Sequence, residues 1–207
     1  MDHASPLLRW LLPASLLLAP APAAAQAGEI AQFQQRQALR FNSAGHRKAN
    51  GLEISLAYPR TWRAGEGERP HIVQTFVATG DALSCNLLVR DAGEPVSEAE
   101  ARTFLRPANI LSLLPDNAER ATAQPTRIDG LTAVEMIYET AVHQGRLARS
   151  VKTVQFVTVW GRSFIQLTCG LGALDRAQAL ARFAAYLPLF RLIANSIVVH
   201  DRWREAR

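Results

Sequence analysis

Between Gly51 and Tyr58 apolar and polar positions alternate: Leu52, Ile54, Leu56 and Tyr58 are separated by Glu53, Ser55 and Ala57. A period of two puts one set on each face, so the stretch reads as a half-buried strand. Pro59 has no N–H to give a ladder and ends it, and Trp62 returns as a large apolar anchor at the sheet's end. The rest of the chain reads as further strands and helices laid around this one. Residues 63–70 are rich in glycine and charge and read as an exposed loop. Alternation resumes over 72–77 and 82–90, with a turn at Thr79-Gly80-Asp81 between them and Cys85, Leu87 and Val89 on one face of the later strand.

Past Asp91 the period changes. Ser97 followed by Glu100 is a capping box, which predicts a helix over 97–105 stopped by Pro107. A short helical piece over 107–114 carries Ile110, Leu111, Leu113 and Leu114, and Pro115-Asp116-Asn117 breaks it. Strands follow at 119–128 and 131–142, joined by Asp129-Gly130, a strong hairpin signal. After a turn at 143–146 come strands at 147–160 and 164–169, joined by Gly161-Arg162-Ser163. Successive strands with such short turns imply an antiparallel sheet. Gly170-Leu171-Gly172 is read as a strand-to-helix turn, not a dinucleotide loop, because the third glycine and the βαβ setting are missing. The helix over 174–186 has a face of small apolar residues; Pro188 bends or restarts it, and 197–199 pairs at a sheet edge.

The first residues belong to another category. Arg9 precedes an apolar run from Trp10 to Ala21, and Ala23-Ala24-Ala25-Gln26-Ala27 follows. A basic start, a short apolar stretch and small residues at A-x-A spacing make a secretory signal peptide, cleaved after Ala25 or after Ala27. The run falls short of the roughly 20 residues that a membrane span needs. The chain is thus read as a signal peptide (1–27), a lead-in arm (28–47), one domain (48–200) and a charged tail (201–207), with no integral membrane segment after cleavage. The working location is periplasmic, or outside the cell.

Of the 207 residues, 23 are Lys or Arg and 18 are Asp or Glu, a net charge of +5; loss of Arg9 and Asp2 leaves 22 against 17, still +5. The arginines are scattered, and an exported chain of this mild basicity does not read as a nucleic-acid binder. Cys85 and Cys169 both sit in strand-like runs. In an oxidising compartment an even count argues for one disulfide; the other reading is two separate buried thiols. His46, His71, His143 and His200 show no metal-ligand spacing, and His71 and His143 read as solvated turn residues unless the fold assembles them. Glu135 and Glu139 share one face of a strand and read as a solvated edge, not as a glycosidase pair. No cofactor is expected. Trp160 beside Gly161-Arg162-Ser163 reads either as an exposed contact spot or as buried under the helices. Trp160, Arg162 and Arg63 are the candidate partner contacts.

The stretch Gly51-Leu-Glu-Ile-Ser-Leu-Ala-Tyr58-Pro59-Arg-Thr-Trp62, with the closing Phe190-x-x-Ile193-x-x-Ser196-Ile197, resembles the PsbP/DcrB superfamily of extrinsic photosystem and periplasmic proteins over roughly 48–199. The resemblance implies an α+β fold: an α-β-α sandwich around a central antiparallel sheet of about six to seven strands. It also implies action by binding other proteins, so the chain is expected to be an exported, non-enzymatic binding or assembly factor with a protein partner in the cell envelope. The alternatives are a small-ligand carrier and a hydrolase with a site assembled in space.

Overall fold

A computed structural model describes residues 22–79, 82–144 and 147–205. Helix α1 (Pro22–Gln34) leads into β1 (Leu39–Asn42), and a 3₁₀ turn at Arg47–Ala49 connects it to β2 (Ile54–Tyr58). Strand β2 does not organise the large sheet. It is the centre of a separate small sheet, flanked by β1 and by β10 (Val198–Val199) from the far end of the chain. Its alternation does not mean half exposure either: Ile54, Ser55, Leu56 and Ala57 are all buried. Ala57 is small enough to be covered, and the Ser55 hydroxyl is paired with His200 Nε2 at 2.9 Å, so the polar positions tolerate burial.

The large sheet is antiparallel and has seven strands: β3 (Trp62–Glu66), β4 (Ile72–Ala78), β5 (Leu83–Asp91), β6 (Glu119–Ile128), β7 (Leu131–Gln144), β8 (Leu147–Trp160) and β9 (Ser163–Ala173). Their spatial order is β3-β4-β5-β9-β8-β7-β6. The expected loop at 63–70 is therefore in part a strand. Residues 63–66 pair with β4, yet their side chains are exposed because β3 has no strand on its outer side, and an edge exposed in this way has the composition of a loop. The Asp129-Gly130 turn forms as expected, with φ of +50° and +77°. Both residues are left-handed there, the backbone of a two-residue hairpin turn matched to sheet twist.

Gly170 and Gly172 are not a strand-to-helix turn. They lie inside β9, which continues opposite β8 as far as the Ser150–Ala173 pair. Helix α4 (Arg176–Asn195) follows, capped by Asp175, and runs unbroken through Pro188. The lost backbone hydrogen bond is tolerated because Phe183, Tyr186, Leu189 and Phe190 on both sides of the proline are buried against the sheet. Pro107 likewise does not only end α2 (Glu98–Phe104). It occupies the first turn of α3 (Pro107–Ile110), where its missing N–H has no partner to lose.

Strand parity sorts the core into two layers. On one face Leu87, Ile165, Leu167 and Leu171 pack under α4 and the small sheet. On the other, Val134, Met136, Val157 and Val159 pack under Ala101, Leu105 and Ile110 of the α2–α3 segment. Helices on both sides of one antiparallel sheet are the α-β-α sandwich expected. Residues 200–205 form a short helix, α5 (His200–Glu205), which docks on the Asp129-Gly130 turn: Trp203 Nε1 donates to Asp129 Oδ2 at 3.0 Å. Asp201 Oδ2 accepts from Glu53 N at 2.9 Å.

Candidate functional site

The two helix layers differ in reach. Helix α4 runs for twenty residues along its face, whereas α2 and α3 are short and leave part of theirs uncovered. The capping box at Ser97, with its hydroxyl accepting from Glu100 N at 3.3 Å, sets where α2 starts. The break at Arg106 then turns α3 across β6 and β7. Between this segment and the sheet lies a groove of about 520 Å³.

One wall of the groove is apolar: Phe104, Ile110, Leu113 and Pro115. Leu113 is largely exposed, which for a leucine beside an open groove is an unfilled contact. Met136, Val157 and Phe164 form the floor, with the Phe104 and Phe164 rings 5.1 Å apart. Along the floor Gln155 and Gln166 supply amides held in place by neighbours. Gln155 Nε2 donates to the Tyr138 hydroxyl at 2.7 Å, and Gln166 Nε2 donates to Thr168 Oγ1 at 2.8 Å. Burial raises the Tyr138 phenol pKa, so it stays a neutral acceptor. Arg90 and Asp91 close one end. Asp91 is held below the usual carboxylate range, chiefly by the Gly93 N–H and also by Arg162, whose Nη2 lies 3.0 Å away. An apolar wall facing fixed amide groups can seat an apolar side chain while pairing the backbone that carries it.

The residues singled out from sequence do not come together. Trp160 is half-buried: its ring packs on the larger core and borders a second cavity of about 470 Å³. Arg162 is exposed in the β8–β9 turn and pairs with Asp91. Arg63 is on edge strand β3, four strands from β8, about 19 Å at ordinary strand spacing. Cys85 and Cys169 face each other across β5 and β9, with their sulfurs 2.00 Å apart, at disulfide distance. Ala27 is exposed, and both Ala25 and Ala27 fall within α1, whose later turn carries Glu29 and Phe33 onto the domain. Glu29 is buried and accepts from Trp62 Nε1 at 3.0 Å and from Thr61 Oγ1 at 2.7 Å.

His71 is half-buried, and its pKa is lowered by burial and then by Arg90 and Arg69. The His143 side chain is outside the described residues. Among the described residues no three His, Cys, Asp or Glu side chains cluster as a metal would require. No helix among them is long and apolar enough to cross a membrane.

Glu135 and Glu139 are not a solvated edge; both are buried on the α4 side of β7. Glu135 accepts from Arg191 Nε and Nη2 at 2.9 and 2.7 Å and from Gln124 Nε2 at 2.9 Å. Glu139 accepts from Arg176 Nε at 2.8 Å and Lys152 Nζ at 3.1 Å, with Arg120 at 3.4 Å. Burial pushes the Glu139 carboxyl upward, but the hydrogen bonds and charges of Arg176 and Lys152 outweigh it and hold the pKa below the ordinary value. The cations come from α4 and β8, distant in sequence, so nothing local in β7 announces them. The groove amides were equally silent, since Gln155 and Gln166 look like any solvent-facing strand residues.

No protein-family model and no curated protein matches the chain. Solved structures do. Mog1p of Saccharomyces cerevisiae, described as a Ran-binding protein, aligns at a TM-score of 0.50 with 10% identity over 78% of this chain and 95% of that one. Cyanobacterial PsbP from Synechocystis sp. PCC 6803 aligns at 0.48 with 15% identity over 78% and 91%. LpqN, described as involved in cell envelope biogenesis of Mycobacterium tuberculosis, aligns at 0.43 with 15% identity over 70% and 82%. At such identities a likeness concerns the fold alone. The chain has the α+β sandwich fold seen in Mog1p, the fold class that its resemblance to the PsbP/DcrB superfamily implies.

Proposed function

We propose that the protein is an exported, non-enzymatic binding or assembly factor acting through protein contacts in the bacterial cell envelope, and that the α2–α3 groove seats a segment of its partner. The groove carries the reading: an apolar wall with an exposed Leu113, fixed amides opposite it, and an arginine at one end. That Mog1p, of the same fold, is described as binding Ran supports a contact role for this scaffold without naming a partner. Export is read from residues 1–27, and the mature chain then begins at Gln26 or Gly28.

The test is site-specific photocrosslinking in the native envelope from Leu113, with Leu113→Asp as the paired variant. A discrete adduct that Leu113→Asp abolishes while the protein stays folded supports the reading. An adduct that survives the substitution, or none above background, overturns it. N-terminal sequencing of the exported chain and cell fractionation check cleavage and location.

The groove also favours a second reading, a small-ligand carrier, because its volume lies within the ~300–1,000 Å³ of ordinary ligand sites. A small molecule that co-purifies with the native protein and is lost in Leu113→Asp would decide for it.

A further inference from the structure

The cavity of about 470 Å³ opens at the end of the sheet, where the Asp129-Gly130 turn, the β8–β9 turn and the start of α2 come together. It shares no lining residue with the α2–α3 groove. Strand parity decides which side chains enter it. Val134 and Met136 face α2 and α3, so Thr132 on the same strand does too, and Arg127, paired directly opposite Thr132, shares that face. On β8 the same parity puts Val157 and Val159 there. Val159 and Ala101 of α2, both buried, form the apolar depth of the cavity, with Val96 beside them.

Two guanidinium groups stand at the mouth. Arg202 of α5 lines it and is held in place: its Nη1 donates to Asp129 O, it lies over the Trp203 ring at 4.8 Å, and a Cβ on Gly130 would meet it at 3.2 Å. Arg127 Nη1 donates to Gly130 O at 3.0 Å. Both bonds go to backbone carbonyls, which carry no net charge, and neither arginine has a carboxylate partner among the described residues. The carboxylates nearby are engaged elsewhere. Asp129 accepts from Val199 N and from Trp203 Nε1, each at 3.0 Å, and Glu98 at the rim pairs with Arg102. Setting Asp129 in full against the two arginines still leaves one positive charge. Thr132 adds a hydroxyl with no hydrogen-bond partner among the described residues.

A planar fork with one surplus charge matches a carboxylate, which accepts two parallel N–H bonds; a phosphate dianion would exceed the charge on offer and would face Glu98. Behind the fork the walls are apolar, and the volume lies within the ~300–1,000 Å³ of ordinary ligand sites.

We propose that this cavity binds a carboxylate borne next to a branched apolar group. Arg202 takes the carboxylate through its fork, Arg127 supports it electrostatically, and the Thr132 hydroxyl donates to it. Ala101 and Val159 hold the apolar group. Such a carboxylate stands at the C-terminus of a peptide or on a free short-chain acid.

The test uses the full exported chain with N-acetyl-leucine, followed by amide NMR shifts and calorimetry. Saturable binding that moves the Ala101, Thr132 and Gly161 amides is expected, with the uncharged N-acetyl-leucinamide about tenfold weaker. Arg202→Gln should weaken the acid about tenfold and leave the amide unaltered, and Arg202→Lys, which keeps the charge without the fork, should fall between. Arg202 also ties α5 to the turn, so Thr132→Val is the second variant: it keeps the shape, loses the hydroxyl and should weaken the acid about fivefold. Equal affinity for acid and amide overturns the carboxylate. Binding unchanged in both Arg202→Gln and Thr132→Val overturns the site, as does the absence of saturation at millimolar ligand. A peptide ending in leucine, compared with isocaproate, separates the sources: tighter binding of the peptide assigns the carboxylate to a protein C-terminus, tighter binding of isocaproate to a free acid. Leu113→Asp must leave this binding unaltered, which keeps failure here distinct from failure of the groove.

Discussion

The Glu135–Arg191 pair is unequal, and the inequality can be measured. Glu135 is 4% exposed, while the Arg191 side chain is 42% exposed. Arg191→Met leaves a buried carboxylate with Gln124 as its remaining side-chain donor. Breaking a buried pair from one side costs about 3–5 kcal/mol, and since water can follow the lost guanidinium the lower end applies, about 3 kcal/mol. Glu135→Leu acts the other way. It removes the buried charge and frees a guanidinium that is already half in water, so the loss should be about 1 kcal/mol. The double variant has no charge to bury and should sit within about 1 kcal/mol of the parent. In a domain of this size 1 kcal/mol moves Tm by about 2–4 °C, so Arg191→Met should melt about 6–12 °C lower and Glu135→Leu about 2–4 °C lower. Urea unfolding at pH 7 for all four proteins closes the cycle. If Glu135→Leu costs as much as Arg191→Met, the buried charge is not what Arg191 serves.

Three further outcomes follow from the structure. The intact mass under non-reducing conditions should be two hydrogens below that of the reduced chain, and Cys85→Ala with Cys169→Ala should cost about 4–5 kcal/mol, given the 84-residue separation; two alkylatable thiols in the native protein would refute the bond. Gly130→Ala should destabilise by about 1–2 kcal/mol, because φ is +77° and the new Cβ would meet the Arg202 guanidinium at 3.2 Å; an unchanged Tm would sink this. Glu139 has a folded pKa below its ordinary 4.5, so the unfolded chain binds its proton first: the stability it contributes is full above about pH 4.5 and is lost as pH falls through the folded value. Glu139→Gln should therefore flatten the loss of stability below that pH in acid titrations, and an identical slope would show that the carboxylate is not the titrating group.

Elements whose instructions are local could be read from the chain. Ser97 with Glu100, and Asp129 with Gly130, each specify a cap or a turn through residues that touch one another, and both form as expected. Alternation located β4, β5, β7 and β8 for the same reason. What alternation does not carry is pairing. Leu52–Tyr58 has the pattern of a sheet strand and Ile54–Tyr58 forms one, but its neighbours are β1 and β10, the second contributed by residues about 140 positions later. Proline and glycine misled in the opposite direction. Pro188, Gly170 and Gly172 read as breaks because their intrinsic preference is to break, and tertiary packing overrode it.

The same division explains the sites. Glu135 and Glu139, two positions apart on one face, look like a pair of solvated acids; their meaning lies in Arg176 and Arg191 on α4 and Lys152 on β8. Those cations are placed only once the helix is laid along the sheet. A charge whose partner is 37 or 56 residues away has no sequence signature, and here such charges decide what the α4 face can be. Glu135 pairs with Arg191, Glu139 with Arg176 and Lys152, and Arg120 with Glu119, so the acids that β6 and β7 bring to this side of the sheet are each matched by a cation. On the other face the helices are too short to cover the strands, and fixed amides are left in the open instead of ion pairs. One sheet thus presents two unlike surfaces, an open neutral groove and a face closed by ion pairs. Leu113→Asp alters the first and Arg191→Met the second, so loss of a partner contact and loss of stability are separable.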